Sequence, residues 1–212
     1  IPLGPVHIQV WGLMVSLGIL LATFIGRREC RRRNLDPDRF IDFATWILVG
    51  AFIGARLFYV FAYAPLRFID DPLAVLRIWE GGLSSFGGFI GAAVAAVIAS
   101  RALRIRFGDY ADVAAFVLPL GYGCGRIGCF LIHDHPGTLS QSFFAVQYPG
   151  GARLDHGLLL SIVGFAMFGV FLILNRRPAK GTALDRGQLP FVQPPFVGIF
   201  LPAFMVLYGV VR

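Results

Sequence analysis

Charge is scarce in this sequence: Asp, Glu, Lys and Arg make up only 15% of 212 residues, too few to coat a soluble domain. Cysteine is scarcer still. Cys30, Cys124 and Cys129 are an odd number with no paired C-x-x-C units, which argues against a disulfide framework or a zinc site. Cys30 sits in an arginine-rich stretch and reads as a reduced cytoplasmic thiol. No internal repeat or low-complexity tract is evident, so nothing points to a solenoid. The chain does not begin with methionine and its first segment is already apolar; no separate cleavable signal is expected, and the first helix would itself direct insertion.

Apolar residues, by contrast, make up 57% of the chain, and the mean hydropathy is +0.72. They come in runs near the ~20 residues a helix needs to cross a bilayer, rather than in the roughly ten-residue alternating segments of an outer-membrane barrel. The expected fold is therefore an all-α integral membrane protein, a bundle of about six to seven transmembrane helices forming a single transmembrane domain over residues 1–212. A net charge of +7 would suggest nucleic acid in a soluble protein. Here the arginines lie in short clusters between apolar runs, so they are read as topology signals and no nucleic-acid partner is expected.

The apolar runs fall at about 8–25, 40–62, 85–100, 113–132, 158–174 and 196–211. The block RRECRRRNLDPDR after the first run is strongly disfavoured on the translocated side, which predicts an extracytoplasmic N-terminus. The three predicted inner loops, 27–39, 101–106 and 176–186, then hold 13 of the 19 Lys and Arg residues. Residues 63–84 and 133–157 become extracytoplasmic loops, the first proline-broken and aromatic, as befits the interface. The last run ends beside Arg212 on the outer face, and a seventh helix is expected to be either missing from this chain or absent from the protein.

Two arginines lie inside apolar runs: Arg56 in GARLFYVF and Arg126 in GCGRIGCF. A guanidinium in a membrane helix costs ~2.5 to 3.5 kcal/mol by the lower estimates unless paired or wet, so both are expected to face a polar cavity. The alternatives are snorkelling to the interface and, for Arg56, a structural ion pair. Glycines 123, 125 and 128 around Arg126 would let a large headgroup approach the backbone. Arginine matches phosphate through a bidentate fork, which makes a phospholipid headgroup the natural ligand. Gly87 and Gly88, in GGLSSFGGFIG, could offer helix-start N–H groups to an anion; close helix packing is the competing reading.

His133, Asp134 and His135 are the densest group of titratable side chains in the sequence. Imidazole can accept and return a proton near neutral pH, and a carboxylate can orient it. Metal ligation by adjacent H-D-H residues needs loop support, so neither a metal nor a cofactor is expected. Tyr208 and Arg212 share a helical face at i, i+4 spacing, where the arginine could join Arg126 on one phosphate.

The order of segments LGPVHIQVWGLM, GARLFYVFAY, PLAVLRIWEGGLSSFGGFIG, FVLPLGYGCGRIGCF and LYGVVR resembles the prolipoprotein diacylglyceryl transferases of bacterial inner membranes. The resemblance implies a multi-pass inner-membrane enzyme with its active site toward the extracytoplasmic side. It would pass a diacylglyceryl group from phosphatidylglycerol to the lipobox cysteine thiol of an exported prolipoprotein, releasing glycerol phosphate. Arg126 and Arg212 would hold the phosphoglycerol, with Tyr208 supporting Arg212. The chain departs from the family's pattern at several points. Phe86 takes the place of a histidine proposed as proton acceptor, Cys129 and Ile132 replace two asparagines, Asp134 stands for a glutamate and Trp11 for a tyrosine. The H-P-S-Q-L-Y-E pattern is missing near Arg153. The favoured reading keeps the activity, with His133 or His135 supplying the base. The alternative is a divergent paralogue that binds phospholipid or transfers to another acceptor; a small-molecule transporter would need a continuous polar path.

Overall fold

The computed structural model describes residues 2–3, 6–7, 9–63, 71–77, 81–175, 200, 202–204 and 206. Among them, five helices are long and apolar enough to cross a membrane: α1 (Val10–Arg32), α2 (Pro37–Ala62), α3 (Ser85–Ala102), α4 (Phe107–Leu131) and α5 (His156–Asn175). A 3-10 helix covers Pro72–Leu76. Two short antiparallel hairpins complete the elements: β1 (Pro2–Leu3) with β2 (Val6–His7), and β3 (Ala145–Tyr148) with β4 (Gly151–Leu154). The all-helical expectation missed these hairpins, the second of which lies inside the predicted 133–157 loop. Of the sixth run, residues 200, 202–204 and 206 are helical.

The helix starts follow from capping residues. The Asp36 carboxylate accepts from the N–H groups of Asp38 and Arg39, with Pro37 at the first helical position. Ser84 caps α3 and Asp155 caps α5, the latter accepting the Leu158 N–H at 2.8 Å. The ends of α1, α3 and α4 are three copies of one device. Asn34, Arg104 and His133 take left-handed backbone conformations, and the following N–H reaches back five residues to the carbonyls of Cys30, Ser100 and Cys129. α1 consequently continues past Ile25 and carries the arginine block as far as Arg32.

The chain groups into two compact units, residues 36–111 and residues 1–35 with 112–212. In the first, α2 and α3 pack through facing glycine pairs, Gly50 and Gly54 against Gly87 and Gly91. A Cβ on Gly54 would lie 2.5 Å from the Gly87 carbonyl oxygen and 2.7 Å from the Gly91 Cα. In the second, Gly18 of α1 meets α4 at Gly121 and Cys124, and Gly164 of α5 lies against Gly123 and Pro119 of α4. Leu20, Phe24, Phe61 and Ile173 point outward from their helices, as apolar side chains do when the solvent is lipid.

A buried ionic group holds one end of the second unit. The Arg33 guanidinium donates to Glu29 at 2.8 Å and to Asp112 at 2.7 Å, and Asp112 also accepts the Phe200 N–H at 3.2 Å. All three charged side chains are buried. A buried pair costs desolvation and is kept where each member is hydrogen-bonded, as here.

Candidate active site

The two intramembrane arginines prove to be different objects. Arg56 is buried and spends its donors on backbone carbonyls of the following segment: Nε on Val75 at 2.9 Å, Nη2 on Arg77 at 3.1 Å, and Nη1 on Gly82 at 3.0 Å and on Gly81. Its environment is therefore a cradle of peptide carbonyls within the first unit. Arg126 is half-buried on α4, and its guanidinium carbon lies 5.1 Å from the Tyr122 ring centroid. Among the described residues it makes no hydrogen bond and no ion pair.

Of the glycines expected beside a headgroup, Gly123 and Gly128 pack closely against neighbouring helices. Gly128 lies under Trp11 and Met14 of α1, a Cβ there falling 3.2 Å from the Trp11 Cα. Gly123 faces Phe165 and Gly125 faces Val15. Similarly, Gly87 and Gly88 do not present a free anion site: the Gly87 N–H points to Ser84 Oγ at 3.4 Å, and the Gly88 N–H bonds the Ser84 carbonyl at 2.9 Å. The small size of Gly87 is what α2 requires of α3, whereas a Cβ on Gly88 would make only ordinary contacts with α2. Phe86 is exposed and sits edge-on to Phe58.

His133, Asp134 and His135 follow the end of α4 and are exposed. His133 rests edge-on against the Tyr148 ring at 5.0 Å between centroids, with Nδ1 3.3 Å from the Leu131 carbonyl. His135 Nδ1 lies 3.3 Å from Asp134 Oδ2. The Cys129 thiol, an Asp134 oxygen and a His135 ring nitrogen come within 4.8 Å of one another. Sequence reasoning passed over Cys129 because the five-residue step back to it is created only by the turn at His133.

Beneath this segment lies a pair that sequence reasoning also missed. Asp155 is fully buried and accepts from the Tyr148 hydroxyl while capping α5 through its other oxygen. Burial, and then the Asp155 carboxylate beside it, push the Tyr148 hydroxyl up to about 12. Arg153 donates to the Gly137 carbonyl at 3.0 Å, which ties β4 to the loop. Tyr208 and Arg212 lie outside the described residues.

A family model for prolipoprotein diacylglyceryl transferase matches residues 1–212. The chain belongs to that family. It is 34% identical over 216 residues to the phosphatidylglycerol–prolipoprotein diacylglyceryl transferase of Chromohalobacter salexigens, covering 100% of this chain and 75% of that one. The enzyme of the same name from Xanthomonas oryzae pv. oryzae is 32% identical over 222 residues, covering 99% of this chain and 75% of the relative. That of Geobacter sulfurreducens is 34% identical over 213 residues, covering 99% and 77%. With five apolar helices of membrane-spanning length among its described residues, this family member is a multi-pass membrane protein.

Proposed function

We propose that this chain transfers a diacylglyceryl group from phosphatidylglycerol to the lipobox cysteine thiol of an exported prolipoprotein. The observation that carries the assignment is Arg126: a half-buried guanidinium on an apolar helix whose donors meet no acceptor among the described residues. A lipid phosphate supplies the missing acceptors, and the contact strengthens as charge collects on the departing glycerol phosphate. In the reaction the acceptor sulfur attacks the glycerol carbon. The new S–C bond replaces the C–O bond to phosphate, whose electron pair leaves with glycerol phosphate. The thiol must first lose its proton, and we assign that step to the exposed segment His133, Asp134 and His135, just past the end of the helix that carries Arg126.

Trp11 lies beside Gly128, two residues from Arg126, and is suited to flank the lipid headgroup. Arg212, with Tyr208, is proposed from the family resemblance as a second cation on the phosphate. Arg56 and the glycines Gly87, Gly88 and Gly128 are assigned to support of the helices rather than to ligand contact. The distribution of Lys and Arg supports an extracytoplasmic N-terminus and an inner-membrane setting, with the Arg126 end of α4 on the extracytoplasmic side. Purified protein given labelled phosphatidylglycerol and a lipobox peptide is expected to yield a thioether product. Lipid binding without product would sink the transferase assignment and leave the lipid-binding paralogue; flux across sealed vesicles would indicate a transporter.

A further inference from the structure

The turn that ends α4 does more than stop the helix. His133 adopts φ +59°, its N–H bonds the Phe130 carbonyl at 3.0 Å, and the Asp134 N–H bonds the Cys129 carbonyl at 3.2 Å. The chain therefore doubles back over Cys129. The segment is then held at a second point, where the His156 N–H donates to the His135 carbonyl at 3.2 Å, and at a third, Leu154 N–H to Thr138 at 2.9 Å. A thiol, a carboxylate and an imidazole are thereby brought within 4.8 Å of one another, with Asp134 Oδ2 and His135 Nδ1 already 3.3 Å apart.

We propose that Cys129, Asp134 and His135 form a binding site for a thiophilic divalent metal ion, zinc being the best match. Zinc takes sulfur at about 2.3 Å and nitrogen or oxygen at about 2.0 to 2.2 Å, so tetrahedral ligands stand roughly 3.3 to 3.8 Å apart. The observed set closes onto such an ion with about 1 Å of side-chain adjustment. Asp134 and His135 are exposed and free to make that adjustment above the buried Cys129. Thiolate and imidazole together select zinc over magnesium or calcium. The expectation of no metal rested on the lack of paired C-x-x-C units and on adjacent H-D-H residues, and neither consideration includes the turn that carries Asp134 and His135 back to Cys129.

Three protein ligands leave a fourth position open, the arrangement of zinc sites that take a substrate. On the transferase reading, and resting on it, the acceptor thiol fills that position and is held there as a thiolate. Metal binding itself does not depend on that reading.

The test uses the full chain purified in detergent, stripped with chelator and titrated with cobalt(II), then zinc. A sulfur-to-cobalt charge-transfer band is expected to saturate at a single equivalent and to be displaced by zinc. Cys129→Ser, which preserves shape in a buried slot and leaves Cys30 and Cys124 in place, should abolish the band. His135→Ala should weaken zinc retention more than about tenfold, and His156→Ala should leave it unchanged. A band that survives in Cys129→Ser, or equal zinc retention by all variants, overturns the site. Adding a cysteine-containing peptide should intensify the cobalt band, and no change would overturn the thiol-holding half alone. An intact cobalt response from protein that forms no thioether product would count against the transferase reading and leave the metal site standing.

Discussion

Replacing Arg126 with alanine separates the functional from the structural use of an intramembrane arginine. Its one contact among the described residues is the Tyr122 ring at 5.1 Å, worth about 0.5 to 2 kcal/mol. Loss of that contact lowers the unfolding temperature by only a few degrees. The effect on transfer is far larger. A preorganised donor aimed at developing charge contributes about 2.7 to 4 kcal/mol, so turnover should fall about 10²- to 10³-fold. Because the phosphate contact strengthens in the transition state, kcat should fall by more than KM rises. Arg126→Lys keeps the charge and loses the fork, and should lie between the two. The assay is thioether formation from labelled phosphatidylglycerol and a lipobox peptide in bilayer discs, with thermal unfolding measured on the same preparations. Transfer by Arg126→Ala within about threefold of the unmodified chain, a difference of only ~0.6 kcal/mol, would refute the role.

Arg56→Ala should show the opposite balance: at least four backbone carbonyls lose their donor, stability falls by about 3 kcal/mol or more, and thermal unfolding in detergent reads the loss. An unchanged unfolding temperature would contradict the peptide-cradle description. Gly91→Ala forces a Cβ against the Gly50 carbonyl oxygen and to 2.9 Å from the Gly54 Cα, which should cost about 1 to 3 kcal/mol in the same measurement. The raised Tyr148 hydroxyl gives a pH signature. Below about 10 both folded and unfolded chains keep the proton and its stabilisation is fully present; as pH rises toward about 12 only the folded state retains it, so stability is lost across that window. Tyr148→Phe should flatten this decline, and a phenolate signal assigned to Tyr148 that titrates near 10 would disprove the burial argument.

The spanning helices were legible because bilayer thickness writes itself directly into the length of an apolar run. Their ends were harder to read. The helix-stop signal expected from sequence is glycine in the left-handed position, whereas α1, α3 and α4 use Asn34, Arg104 and His133 there. α1 could therefore run on through residues that looked like a loop, and Arg33, paired with Glu29, could reach Asp112 some eighty positions later. The short hairpins were hidden for a different reason. Four-residue strands such as 145–148 and 151–154 carry too little alternation to stand out, and their pairing depends on the turn at Gly150 and Gly151. At the site, the anomaly of Arg126 was visible in sequence, since a charge in an apolar run needs no neighbour to be conspicuous. Tyr148 with Asp155, and Cys129 with Asp134 and His135, were not, because each depends on a backbone reversal.

The accounting of guanidinium donors carries the functional argument further than the positions of the arginines could. Three arginines on or beside apolar helices meet three kinds of partner: Arg33 meets carboxylates, Arg56 meets peptide carbonyls, and Arg126 meets an aromatic face. The first two are bound by groups of the fold itself, so evolution could exchange either for an apolar side chain of similar shape if the partners changed with it. Arg126 offers the fold almost nothing in return for a membrane-placement cost of ~2.5 to 3.5 kcal/mol by the lower estimates. A residue that folding does not stabilise and the bilayer disfavours is maintained by something outside the fold. An anionic group arriving from the lipid phase supplies acceptors to its fork, and the exposed side chains of residues 133–135, seven to nine positions further along the chain, stand where the second reactant would have to meet it.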